Sequence, residues 1–402
     1  MSTERSSISL PNRYPFRLGA YLLFVLIAAS NIFIFQLYCK TVIADRNLLE
    51  QDFLGYYTAA SLPRTSIYDI NRQRELQTSL LGKPYGVPAG VLLFNHPPFL
   101  VPVVRLLNNG NYFESYQRWA ALLFAISVAC SVIIYLWLRD AGHTVLVSTL
   151  SAFTALLFYP SYRSIEIGTD TSVALLAVLL WAFFLIKDKD RAAGLALSLT
   201  LIKPHLAIIL GAATLARSRR AFLMFLTGGV VLTSVSMFYV GLKGILDLVQ
   251  NIKFSANGEA LGVFFVKQYS FMGLLARLGM SRTVVAMVGW LAFGLIVVLV
   301  SVYRTTSSET WIGVVLLLAV FFAPNLHFHD LALLLLPMTL IARRVRGQPA
   351  ALIFFPLSPL LILAVGLTVA SYSMQVIAAV VLGGLKQRRD SYSDLDDQHA
   401  LI

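Results

Sequence analysis

Long apolar runs broken by short basic clusters set the rhythm of this chain. The first run spans 18–37, and others follow at 113–138, 143–161, 171–186 and 192–216, with more towards the C-terminus. A run of about 20 apolar residues is long enough for a helix to cross the hydrocarbon core of a bilayer. The pattern predicts roughly ten to twelve such segments. The expected fold class is therefore all-α integral membrane, a polytopic helical bundle with a large outer loop after the first helix. The segment 18–38 is expected to stay as the first transmembrane helix, because a signal peptide has a shorter apolar stretch and a small-residue cleavage site.

Two stretches resist being read as straight spans. Residues 94–107 are short and carry Pro97, Pro98 and Pro102, so they are expected to dip into the membrane and return. The run 192–216 has basic clusters at both ends and Lys203-Pro204 in its middle. A proline breaks the helix there, and a lysine inside a membrane must face protein or water. Two half-helices forming a hairpin satisfy both demands. The expected organisation is one membrane domain over 1–390: the first helix, an outer loop at 40–112 with its re-entrant proline-rich part, and the remaining helices at 113–385. A polar cytoplasmic tail follows at 391–402.

Composition agrees with the pattern. Hydrophobic residues make up 57% and charged residues 13% of the 402 residues. One soluble core cannot hide that much apolar surface. The net charge of +12 raises the question of nucleic acid, but the basic residues are scattered in clusters between apolar runs, as the positive-inside rule arranges them. No nucleic-acid partner is expected. With the clusters at 187–191, 217–220, 343–346 and 386–389 placed in the cytoplasm, both termini are cytoplasmic and the outer regions are 40–112, 162–170, 241–282 and 325–330. The 2 cysteines, Cys39 and Cys130, form neither a disulfide framework nor a zinc spacing.

The residues able to carry chemistry collect on the outer side. Asp52 follows the first span beside Tyr56 and Tyr57; it is either a solvated loop aspartate or helix N-cap, or a general base near the membrane surface. His96 stands before Pro97-Pro98. Arg163, Glu166 and Asp170 occupy a second outer segment, where a plain turn that caps the next helix is the competing reading. Burying Lys203 in lipid costs roughly 2.5 kcal/mol or more, so it is expected near the outer face, where it would neutralise a phosphate. Lys267 and Arg277 would do the same from 241–282. His327 and His329 diverge at i and i+2 and have no third ligand, so no metal is expected; Asp330 is read as a cap. An outer cavity with an acid, histidines and cations suits a substrate that combines a lipid tail, a phosphate and a sugar.

In order and spacing these motifs resemble glycosyltransferase family 87. The likeness runs through Asp52-Phe53 with Tyr56-Tyr57 and Ala59-Ala60, Tyr68-Asp69, and the aromatic-x-x-Pro-Pro pattern at 94–99. It continues through Ala193-Gly194, Lys203-Pro204, Tyr269-Ser270 and 324–330. The chain departs from the family pattern at two places. Gly168-Thr169-Asp170-Thr171 stands where Gly-Gln followed by Asn is common, and His96-Pro97-Pro98 replaces Tyr-Pro-Pro.

The resemblance implies a C-type fold in a bacterial inner membrane. It also implies transfer of a hexosyl group, with mannose the expected sugar, from a polyprenyl-phosphate sugar to a lipid or glycan acceptor. Asp52 matches the family's acidic base, and His329 or His327 matches its late histidine. Tyr56, Tyr57, His96, Arg163, Glu166, Asp170, Lys203 and Lys267 are the expected substrate-binding set. No separate cofactor is expected, and membrane lipids are the expected surroundings. A transporter or lipid flippase is the alternative, since broken helices also occur there. Against it, the chain shows no internal repeat.

Overall fold

The computed structural model describes residues 51–256, 265–303 and 308–344, with isolated positions between 29 and 40 and between 372 and 376. Most of the expected first helix at 18–38, the tail at 391–402 and the clusters at 345–346 and 386–389 lie outside the described residues. Among the described residues all regular structure is helical. The chain is an all-α polytopic membrane protein. Among the described residues four helices or helix pairs are long and apolar enough to cross a bilayer: Tyr112–Asp140, Val145–Ile167, Arg219–Ser255 and Arg282–Val302.

The segment 51–107 packs two short helices and an extended stretch against the bundle in one shared core. Helix α1 (Phe53–Ser61) is buried along nearly its whole length. Helix α2 (Ile70–Leu81) starts where Asp69 accepts from the backbone N–H groups of Asn71 and Arg72, and stops at Gly82 in the left-handed conformation. Polar and apolar residues at helical spacing over 71–81 predict a short helix lying at the membrane interface. What α2 buries is unexpected for such a helix: two glutamines, Gln73 and Gln77. Gln77 brackets Leu92, its Nε2 donating to the carbonyl and its Oε1 accepting from the N–H, both at 2.8 Å. Gln73 accepts from Phe94 N at 2.9 Å and donates to Ile67 O at 2.9 Å. Two amide side chains thus stand in for a neighbouring strand and satisfy the extended segment that leads to His96. After it come a 3-10 turn at Pro98–Leu100 and α3 (Val101–Leu107). Arg105 in α3 donates to Ala60 O at 3.0 Å and so closes the C-terminal end of α1.

The bundle follows, as α4 (Tyr112–Asp140), α5 (Val145–Leu156), α6 (Tyr159–Ile167), α7 (Thr171–Ile186), α8 (Asp190–Ser198), α9 (Pro204–Arg217), α10 (Arg219–Ala256), α11 (Phe271–Arg277), α12 (Arg282–Val302), α13 (Ser308–Phe322) and α14 (Leu335–Arg344). Gly241, at φ 70 and ψ 175, divides α10 into two parts. Helix α7 is its axis: Ala177, Val178, Leu179, Trp181 and Ala182 are fully buried. At 16 residues it extends about 24 Å. That is short of the roughly 30 Å hydrocarbon core, and its buried residues show that protein covers most of its apolar surface. Helices α10 and α12 instead leave large apolar side chains uncovered, among them Phe238, Val230, Leu291 and Val298. Close approach of α8 to α10 depends on Gly194, where a Cβ would meet Ala221 O at 2.0 Å.

Both interruptions expected from the sequence are present. The 98–107 stretch is a turn and a two-turn helix, and the 192–216 run is split into α8, a 3-10 turn at Leu199–Ile202 and α9. Lys203 sits between the last two, at φ -123 and ψ 83, as the residue before a proline prefers to be extended.

Candidate active site

Three chain breaks converge on one polar cluster in an apolar interior. Gly168, at φ +76, ends α6; a Cβ there would sit 2.7 Å from Phe53 Cβ. Its carbonyl accepts from Trp119 Nε1 at 2.8 Å. This tight corner delivers Asp170, fully buried, to the start of α7. The break at Lys203-Pro204 delivers an ammonium to the same cluster. The 3-10 helix at Phe328–Leu334 delivers the third group, Asp330.

Lys203 Nζ lies 2.8 Å from Asp330 Oδ1 and 3.3 Å from Asp170 Oδ1. Thr171 Oγ1 donates to Asp330 Oδ1 at 2.8 Å, and His327 N donates to Asp330 Oδ2 at 2.9 Å. The capping role expected of Asp330 is therefore present, and it also anchors the lysine. Histidines close both ends of this chain of charges. His96 Nδ1 is 2.9 Å from Asp170 Oδ2, and His329 Nε2 is 3.6 Å from Asp330 Oδ2. No well-angled hydrogen bond reaches either oxygen of Asp170, so its charge is compensated by the groups around it. Removing charges from water costs several kcal/mol per ion, and only a closed network of this kind offsets it.

His96 is held in place from several directions. Tyr68 OH donates to its carbonyl at 2.6 Å, and Tyr56 OH lies 3.1 Å from Nδ1. Its ring packs against Tyr56 and Phe94, with centroids 4.6 and 5.4 Å away. The rings of His327 and His329 stack at 5.6 Å.

Asp52 differs from the other acids. It occupies the N-cap position of α1 in helical conformation, but its side chain makes no cap bond. It is half-buried and has no ion pair among the described residues. Its charge is felt at Tyr56, Tyr112, His327 and His329, which places it on the rim of the cluster.

The structure thus gathers Tyr56, His96, Asp170, Lys203 and His329 into one network, with Asp52 and His327 beside it. The other expected residues are engaged elsewhere. Tyr57 donates to Gly110 O at 2.9 Å and packs against Phe53 and Tyr112. Arg163 and Glu166 pair with each other one turn apart on α6. Lys267 is exposed, and its backbone meets the His327 ring. Arg277 stacks on Tyr269 at 4.7 Å and donates to Tyr372 OH at 2.8 Å, so it braces a loop. Lys203 was expected to answer a phosphate, but its ammonium is engaged by two carboxylates of the chain itself. Thr171 and His205 escaped the sequence reading. His205 has Lys203, Asp330 and Asp170 as electrostatic neighbours, and its place directly after Lys203-Pro204 in an apolar run was a usable signal. Among the described residues no group of three or more His, Cys, Asp or Glu is arranged to hold a metal ion.

Residues 94–326, more than half of the chain, match the sequence pattern of glycosyltransferase family 87. The chain belongs to glycosyltransferase family 87. It is accordingly a glycosyltransferase built on membrane helices. No curated protein matches it. The family 87 match takes in His96, Asp170 and Lys203, and it stops short of Asp52, Tyr56, His327 and His329. The matched span therefore supplies one wall of the cluster, and the segments flanking it supply the other.

Proposed function

We propose that the chain transfers a hexosyl group, mannose in the first instance, from a polyprenyl-phosphate sugar to a lipid or glycan acceptor. The reaction takes place on the outer face of a bacterial inner membrane, with inversion at the sugar carbon and Asp52 as general base. The observation that supports this most is the contrast among the acids. Asp170 and Asp330 are locked to Lys203, whereas the Asp52 carboxylate is uncommitted on the rim of the same cluster.

Inverting transfer needs a carboxylate on the face opposite the leaving group, to take the proton of the acceptor hydroxyl as its oxygen attacks. The bond from the sugar carbon to the phosphate oxygen breaks, and the lipid phosphate leaves as a stable anion without a proton. His327 and His329 feel the charge of Asp52 and so stand with it on the acceptor side, where an imidazole helps to orient the attacking hydroxyl.

The deciding experiment offers polyprenyl-phosphate sugars and a lipid extract to purified wild-type protein and to Asp52→Asn. Transfer by the wild type and its loss in the variant supports the reading. Undiminished transfer by the variant removes Asp52 as base, and flipping of the lipid without transfer makes the chain a transporter.

A further inference from the structure

Away from the buried cluster, two guanidinium groups share one aromatic ring. The part of α10 that precedes Gly241 begins at Arg219, beside the basic cluster at 217–220, and extends for about 33 Å. That length crosses the roughly 30 Å hydrocarbon core. Tyr239, at its far end, therefore stands where lipid tails give way to headgroups, a depth that tyrosine favours. The chain on either side of α1 and α3 comes back over this ring. Arg64, in the 3-10 turn at Arg64–Ser66, lies 4.7 Å from the ring centroid, and Arg105 of α3 lies 5.7 Å from it.

The two cations are thus within about 10 Å of each other, close enough to repel at the edge of a membrane. Neither has an ion pair among the described residues. Arg105 uses Nε and Nη2 on the carbonyls of Ala59, Ala60 and Leu62, which leaves Nη1 without a hydrogen bond. Arg64 is exposed, and its guanidinium has only the ring. A ring face attracts a cation but does not neutralise it. An anion received by both would.

The surroundings indicate which anion. Val235 and Val231 lie about one and two turns from Tyr239 on the same side of α10, towards the middle of the membrane, and both are exposed. Leu106, next to Arg105, is exposed as well. Paired guanidinium groups above an apolar track match a phosphate headgroup above a hydrocarbon tail. A small soluble anion would have no use for the track.

We propose that Arg64 and Arg105 bind the phosphate of an anionic phospholipid in the leaflet opposite the 217–220 cluster, with one acyl chain lying along Val235 and Val231. The site shares no residue with the Asp170–Lys203–Asp330 cluster and does not depend on the sugar-transfer reading. A lipid bound there joins a membrane-crossing helix to the turn that follows α1 and to the arginine that closes α1.

The test reconstitutes the full chain in phosphatidylcholine vesicles. A trace of phosphatidylglycerol or of phosphatidylcholine is added, each carrying a photoreactive diazirine in its acyl chain, and labelled peptides are identified by mass spectrometry. In the wild type, labelling at 231–239 is expected to be several-fold higher with the phosphatidylglycerol probe. Arg64→Gln is expected to lower that preference about 5-fold, the factor for one cation near a lipid surface, and to leave labelling beside 217–220 unchanged. Arg64→Lys, which keeps the charge, is expected to retain most of the preference. Equal labelling by the two probes in the wild type overturns the inference, as does a preference undiminished in Arg64→Gln. A loss in Arg64→Lys as complete as in Arg64→Gln overturns it too, because packing against Tyr239 and not charge would then be responsible.

Discussion

The N-terminus of α1 and the junction between α8 and α9 each present a charged residue at a break in the chain, and they use it in opposite ways. At the junction, Lys203 is clasped by Asp170 and Asp330, with a threonine hydroxyl and a backbone N–H completing the set. At α1, Asp52 makes no cap and no ion pair among the described residues. A charge that holds the fold is one whose every partner is already present. A charge that performs chemistry must have a valence left for the substrate. The difference separates scaffold from reagent among residues that looked equivalent as isolated letters.

The largest expected effect falls on activity alone. Asp52→Asn should lower sugar transfer by about 10²- to 10⁴-fold, the range for a positioned general base. Thermal unfolding in detergent should stay at the wild-type midpoint. A comparable loss of stability would place Asp52 with the scaffold and erase the contrast.

Lys203→Met should do the reverse and strike stability, by about 3–5 kcal/mol, because it leaves two buried carboxylates without their cation. Replacing all three residues together, with Asp170→Asn and Asp330→Asn added, should return much of that loss. Unfolding curves of the single and triple variants check it. Equal destabilisation in both would mean that the lysine acts by packing alone.

Gln77→Ala should cost about 1–3 kcal/mol, the penalty for leaving both polar groups of Leu92 unpaired. Faster amide exchange confined to 91–96 is the measurement. The smallest effect is expected on the lipid side. Phe238, 88% exposed on α10, should tolerate Phe238→Leu within about 0.5 kcal/mol. A larger loss of midpoint would show that this face packs against protein.

Much of the fold was legible because the membrane imposes a strict code. Apolar length, proline position and basic clusters are one-dimensional facts, and they located the two interruptions at 94–107 and 192–216. The short helix at 71–81 was legible from its spacing, yet its purpose was not. Spacing assigns no partner to Gln73 and Gln77, and only the chain folded back on them reveals those at Leu92 and Phe94. Apolar letters were equally silent about what covers them: α7 and α12 are both strongly apolar, but the first is sealed in protein and the second leaves Leu291 68% exposed.

The sequence by itself determined that the chain lies in a membrane, that two of its apolar runs are broken, and that acids, histidines and a lysine accompany those breaks. Hydrophobic length and backbone chemistry are local properties, so letters suffice for them. Only the tertiary structure decided which charges are partners. The pairs Lys203–Asp330, at 2.8 Å, and His96–Asp170, at 2.9 Å, join residues more than seventy positions apart. Electrostatic pairing depends on distance in space, which no spacing along the chain encodes.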